Sequence, residues 1–351
     1  MNYELTKEDT FQLKGIAILL LLFHHLFYIN NGLYNDWNIG PIPLIQTIGR
    51  FCKVCVAIFV FLSGYGLAIS NSSSKKFVAS SFYAKGFTKL YLNYWLIYIL
   101  FVPIGILFFH RSFSDVYSCH VIPKAIIDFL GLADCFGYLG YNATWWFYSC
   151  ILPLYLVFPV LRFLLPRFSI ILILGAGLFM LKGPAILFLQ PIKYYLLPFV
   201  LGMVFANKKI LSISCRYSML NNCILWSIFL LTAAFWRQFG FYLGGVSFDS
   251  VVVLGGVFVF VTIRKYICLK CKDVLAFLGK HSFNIFLFHT FIYYYYFPGI
   301  IYYTKNPLFI FFLLLLVCII ISIGIEKLKK ILCFNHVQNS IIKYLVKSNT
   351  L

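Results

Sequence analysis

Lys14-Gly15-Ile16-Ala17-Ile18-Leu19-Leu20-Leu21-Leu22-Phe23-His24-His25 is an apolar run with a cation at one end and imidazoles at the other. A helix turns about 100° per residue, so eleven steps from Lys14 bring His25 to within about 20° of the same face, roughly 16 Å along the axis. His24 lies about 80–100° away, so only one of the two histidines shares the Lys14 face. A run of this polarity reads as a membrane span. Ionisable groups at such depth are costly and mark functional candidates.

The rest of the composition agrees with a membrane chain. Of 351 residues, 62% are hydrophobic and 20% aromatic, while only 11% are charged. Soluble domains carry about 25% charged residues. Mean hydropathy is +0.90. The net charge of +19 raises the question of nucleic acid, but the cations sit in short loops between apolar runs. That is the pattern of positive-inside topology, and no nucleic-acid partner is expected. Glu4, Glu8 and Asp9 crowd the region before the first run and no small-residue cleavage site follows it, so the run is expected to stay as a helix.

Ten apolar stretches are expected to span the bilayer: 13–29, 48–70, 90–109, 145–165, 169–182, 193–206, 222–239, 249–263, 274–296 and 307–325. The expected fold is therefore all-α and polytopic, one integral-membrane domain over residues 1–351. With the N-terminus inside, twenty Lys and Arg fall in cytoplasmic segments, among them Lys75, Lys76 and Arg216, against six outside. That asymmetry places both termini in the cytoplasm. The long connection 110–144 then lies outside. Its Ile126, Ile127, Phe129 and Leu130 suggest a short helix on the membrane surface, with Asp128 and Asp134 on its polar side.

Several residues in the spans bear chemistry. His25 reads as a general base, because a neutral imidazole titrates nearest physiological pH; the alternative is helix packing. Lys14 is either its companion or a snorkelling lysine. Arg50 and Lys53, three apart, either point outward or line a cavity for an anionic or hydroxylated ligand. Ser63-Gly64-Tyr65-Gly66 combines small residues with two hydroxyls, a packing notch or a ligand contact. Ser282 and His289, seven apart, share a face, and His289 reads equally as packing or cavity lining. Lys280 serves either a phosphate or the inner surface. Trp145 and Trp146 read as interface anchors, with a sugar-stacking platform as the alternative. Cys52-x-x-Cys55 and Cys268-x-x-Cys271 look like a zinc pattern, but the topology puts them on opposite sides, so buried spectator thiols and no metal site are expected. Asp249 and Asp36 are weak candidates for orienting His25.

Taken in order, these segments resemble acyltransferase family 3, integral-membrane enzymes that O-acetylate surface carbohydrates and related acceptors in bacteria. In that family the first helix carries an Arg, ten residues and a His; Lys14 and His25 fill this frame. A Phe-rich run into Leu-Ser-Gly-aromatic is matched by Phe59-Val60-Phe61-Leu62-Ser63-Gly64-Tyr65. The basic entry to the third helix is matched by Lys85, Lys89 and Tyr91. The late Leu-Gly-x-x-Ser-aromatic…aromatic-Leu-x-His is similar to Leu278-Gly279-Lys280-His281-Ser282-Phe283…Phe286-Leu287-Phe288-His289. Two positions depart: Lys14 stands where Arg is usual, and Ile151 stands where many members carry Glu.

The resemblance, rather than composition or spacing, implies the reaction. An acyl group, usually acetyl, would pass from acetyl-CoA or another acyl-CoA to a hydroxyl of an extracytoplasmic carbohydrate or glycolipid. His25 and Lys14 would be catalytic. Ser63, Tyr65, Lys89, Trp146, His289, Arg50, Lys53 and Lys280 would contact donor or acceptor. No permanently bound cofactor is expected, and the place is the bacterial inner membrane, in the service of the cell envelope. A transporter or flippase for a lipid-linked sugar is the alternative.

Overall fold

The computed structural model describes residues 4–71, 77–183, 186–211, 219–240 and 245–348. Lys75, Lys76 and Arg216, which contribute to the charge asymmetry, lie outside these segments. Twelve helices of eight residues or more are present among the described residues: α1 Lys7–Phe27, α2 Leu44–Phe51, α3 Cys55–Asn71, α4 Ala79–Phe108, α5 Val121–Phe129, α6 Trp146–Lys182, α7 Leu196–Lys208, α8 Met219–Phe239, α9 Asp249–Ile263, α10 Leu269–Thr290, α11 Pro307–Ile331 and α12 Phe334–Ser348. A two-residue hairpin pairs Asn38–Ile39 with Ile42–Pro43.

The protein is all-α and built to cross a membrane several times. Five helical segments are long and apolar enough to span: Lys7–Phe27, Leu44–Asn71, Ala79–Phe108, Ala143–Lys182 and Pro307–Ile331. A sixth forms if Leu187–Lys193 and Leu196–Lys208, bent by 50°, act as one broken span. All ten expected stretches fall on helix, and 145–165 and 169–182 are two helices that meet at a kink inside α6. In α6 the only departure from helical dihedrals is Phe168 (φ −121°, ψ 29°), just beyond Pro166. Proline removes an amide donor and clashes with the preceding turn, which kinks or breaks a helix. The span beginning at 48 is also broken, with a 3₁₀ turn at Cys52–Val54 between α2 and α3.

The chain divides into two compact units. The first holds 1–74, 160–184 and 193–282. Its α1 opens on a capping box: the Thr6 hydroxyl accepts from the Asp9 amide, and the Asp9 carboxylate accepts from the Thr6 amide. Glycine sets two close approaches. A Cβ on Gly15 would fall on the Leu275 carbonyl oxygen, and one on Gly279 would fall on that of Phe11, so α1 and α10 meet backbone to backbone. Gly64 and Gly202 do the same for α3 and α7 against Phe199 and Phe61. Such small-residue contacts let dispersion hold helices together where lipid offers no hydrophobic drive.

The second unit holds 75–159, 185–192 and 283–351. Here α5 is clamped onto α4 by side chains. Tyr94 donates to the Asp128 carbonyl at 2.6 Å, Trp95 to that of Phe129 at 2.9 Å and Tyr91 to that of Leu130 at 3.0 Å. These carbonyls end a helix and have no partner within it. The expected surface helix exists, with Ile122 and Ile126 exposed, but Asp128 is not on its polar side. It is buried, and one carboxylate oxygen accepts from the Tyr117 hydroxyl and the Tyr141 amide, both at 2.6 Å. Asp134 is half-buried. Toward the other end of this unit, Lys329 binds Glu326 and Asn284, and Asn284 also donates to Glu326 and Ser322, joining α10 to α11.

Candidate active site

In the first unit, α1 presents two polar ends. At its start, Lys14 is half-buried and donates to no acceptor among the described residues. Lys7 and Lys280, both exposed, hold their ammonium groups 5.9 and 5.8 Å from the centre of the Phe11 ring. Two ammonium groups therefore share the Phe11 ring where α1 and α10 pack. Gln12, which follows Phe11 in the chain, is buried, and its side-chain oxygen has no partner within the described residues. A buried amide oxygen without a partner is costly, which marks Gln12 as a contact that sequence pattern alone did not single out.

Tyr65 reaches the same end from α3. Its hydroxyl accepts from the Leu5 amide at 3.1 Å, which folds the N-terminal segment over it. Arg264 pairs with Asp9 and donates to the Glu4 carbonyl, fixing that segment from the other side. Ser63 donates to its own helix at Phe59.

At the other end of α1, the two histidines have different work. The Nδ1 of His24 lies 2.8 Å from the Gly49 carbonyl oxygen, tying α1 to α2. His25 stands edge-to-face with His24, ring centres 5.1 Å apart, and 6.5 Å from the Tyr28 ring. Arg50 is exposed, and its Nε donates to the Tyr28 carbonyl at 3.4 Å. Lys53 is half-buried in the 3₁₀ turn. So His25, Arg50 and Lys53 belong to one end of this unit, while Lys14 and Lys280 belong to the other.

That end also holds a buried ion pair. Arg237 of α8 is buried and pairs with Asp249 at 2.8 Å, and it also donates to the Arg50 carbonyl at 2.9 Å. Asp249 is thereby engaged by Arg237. Asp36 caps α2, accepting from the Ile45 and Gln46 amides at 2.8 and 3.0 Å. Both weak candidates for orienting His25 thus have other partners.

The second unit holds Lys89, Trp146 and His289. Lys89 is exposed on α4 and Trp146 is half-buried. Trp145 is no interface anchor: it is buried, stacks near Tyr98 and donates to the Leu287 carbonyl at 2.9 Å. His289 is fully buried, with Nδ1 at 2.9–3.0 Å from the Phe286 and Ile285 carbonyls of its own helix. Of the thiols, Cys52 and Cys55 are buried as expected, but Cys268 and Cys271 are exposed. No group of three metal-ligating side chains occurs among the described residues.

A family model described as an acyltransferase domain matches residues 12–327, nearly the whole chain, beginning two residues before Lys14. The chain belongs to acyltransferase family 3. It is a multi-pass membrane acyltransferase. The comparison with curated proteins and that with solved structures found no match.

Proposed function

We propose that this acyltransferase moves an acyl group, acetyl in the first instance, from acyl-CoA at the cytoplasmic face to a hydroxyl of an extracytoplasmic carbohydrate or glycolipid. The observation that carries this reading is the α1 face itself: a half-buried Lys14 without an acceptor among the described residues at one end and His25 eleven residues on. Lys14 and Lys280 would meet the coenzyme A phosphates as point charges. Tyr65 and Ser63 would line the donor's path, and Arg50 and Lys53 the acceptor's. His25 takes the proton of the acceptor hydroxyl, the oxygen attacks the thioester carbonyl, the carbon–sulfur bond breaks, and the coenzyme A thiolate leaves and is protonated. The place is the bacterial inner membrane, where the donor is inside and the envelope glycan outside.

Alanine at each histidine tests the reading. His25→Ala is expected to lower acyl transfer by about 10²–10⁴-fold with the folded protein recovered, the usual worth of a general base. His24→Ala loses one helix-to-helix hydrogen bond, about 0.5–1.5 kcal/mol of stability, with a smaller effect on rate. The measurement is acylated product per amount of folded protein. Full activity in His25→Ala removes His25 from the chemistry; a dead His24→Ala beside an active His25→Ala exchanges their roles.

A further inference from the structure

Five of the described cysteines are buried, but Cys268 and Cys271 are both exposed at the start of α10. Their sulfurs lie 2.9 Å apart, and the Cys271 amide donates to the Cys268 sulfur at 3.4 Å. Because α10 begins at Leu269, Cys268 precedes its first turn, where unpaired amides carry partial positive charge. The Cys271 thiol, the Cys271 and Lys270 amides and the Lys272 ammonium together hold the Cys268 thiol below its ordinary range. The same shared proton pushes the Cys271 thiol up. One thiol is therefore prepared to attack and the other stands in contact with it, the two parts that thiol–disulfide exchange requires.

We propose that Cys268 and Cys271 form a redox-active dithiol that closes to a disulfide by exchange with a small-molecule disulfide of the glutathione type. The Cys268 thiolate attacks one sulfur of that disulfide, and one small thiolate leaves. Cys271, losing its proton, then attacks the Cys268 sulfur of the mixed disulfide and expels the second. Two protein thiols are oxidised by two electrons, one disulfide is reduced to two thiols, and the two protons pass to the leaving thiolates. Closure reshapes the turn from which α10 runs to Leu275 and Gly279, the residues pressed on α1 beside Lys14. That consequence for activity rests on the acyl-transfer reading; the dithiol chemistry does not.

The test uses the full chain in detergent, reduced, then equilibrated with graded ratios of reduced to oxidised glutathione, quenched in acid and alkylated. Mass spectrometry reads the peptide that contains both cysteines. The expected result is loss of two hydrogens and of both alkylation sites together as the oxidised fraction rises, while exposed Cys333 gains at most a glutathione. In Cys271→Ser the glutathione adduct should persist on Cys268, and in Cys268→Ser the remaining Cys271 should react about tenfold more slowly. Separate alkylation of Cys268 and Cys271 at every ratio, in step with Cys333, overturns the proposal. Equal reactivity of the two single-cysteine variants overturns the assignment of Cys268 as attacker.

Discussion

Around Asp128 stand Tyr94, Tyr98, Tyr117, Tyr138 and Tyr141. Burial in this ring pushes its carboxyl up to about 6, against the pull of the Tyr117 hydroxyl and the Tyr141 amide toward the ionised form. A carboxyl raised in the folded state holds its proton there while the unfolded chain has lost it. Its contribution to stability is therefore complete below about 3.9 and disappears as pH rises through about 6. Asp128→Asn keeps an acceptor for Tyr117 and Tyr141 but cannot titrate. Between pH 4 and 7 the native protein should lose on the order of 2–3 kcal/mol relative to that variant. Melting curves of both proteins across this range give the difference, and a flat difference means that the carboxyl does not titrate there. Helical spacing could not show this setting for Asp128, because periodicity says which residues share a face and not that residues 117 and 141 will cover that face. Arg237 escaped for a related reason. An arginine at an apolar helix end reads as an interface cation until the partner, here Asp249, is seen beside it. Removing one member of such a buried pair costs more than the pair itself contributes, since the other is left as a lone charge.

At the scale of the element, apolar runs show where helices lie but say little about how they break. The α6 run kinks at Phe168, just beyond Pro166, where proline removes one amide donor and crowds the preceding turn. The two stretches read there, 145–165 and 169–182, are the two arms of that kink. The Ser63-Gly64-Tyr65-Gly66 notch was legible as a place of close approach, and Gly64 does meet the Phe199 carbonyl. The reciprocal contact of Gly15 and Gly279 was hidden, since neither glycine announces its partner. It yields a prediction of its own. Gly279→Ala forces a methyl onto the Phe11 carbonyl, and Gly15→Ala forces one onto that of Leu275, so α1 and α10 must separate. Each is expected to cost about 1–3 kcal/mol, as overpacking does. On the proposed role of Lys14, which adjoins Gly15, affinity for coenzyme A should fall in both. Gly66→Ala, where open space surrounds the added carbon, is the control and should change neither. Equal melting temperatures for all three would show that the two helices do not touch as described.

For the whole molecule, the class was legible early: few charges, much aromatic surface and loops rich in Lys and Arg exclude a soluble enzyme or a nucleic-acid binder. The family was legible too, because four short motifs fell in one order along the chain, and the match over residues 12–327 covers all of them. The number of spans was not, since helices such as α9, of fifteen residues, and α10, with charges in its first half, are ambiguous by length and polarity. Sidedness rests on charge alone and is open to a direct check with thiols the chain already has. Cys119, Cys268, Cys271 and Cys333 are all exposed. If both termini are cytoplasmic, Cys119 lies outside with segment 110–144, while Cys268, Cys271 and Cys333 lie inside. In variants retaining one of these cysteines at a time, an impermeant maleimide applied to intact cells should label only Cys119. After permeabilisation the other three should label as well, which shows that they were shielded by the membrane and not by the protein. Labelling of Cys268 or Cys333 in intact cells inverts the topology, and with it the side on which the proposed donor contacts Lys14 and Lys280 would lie.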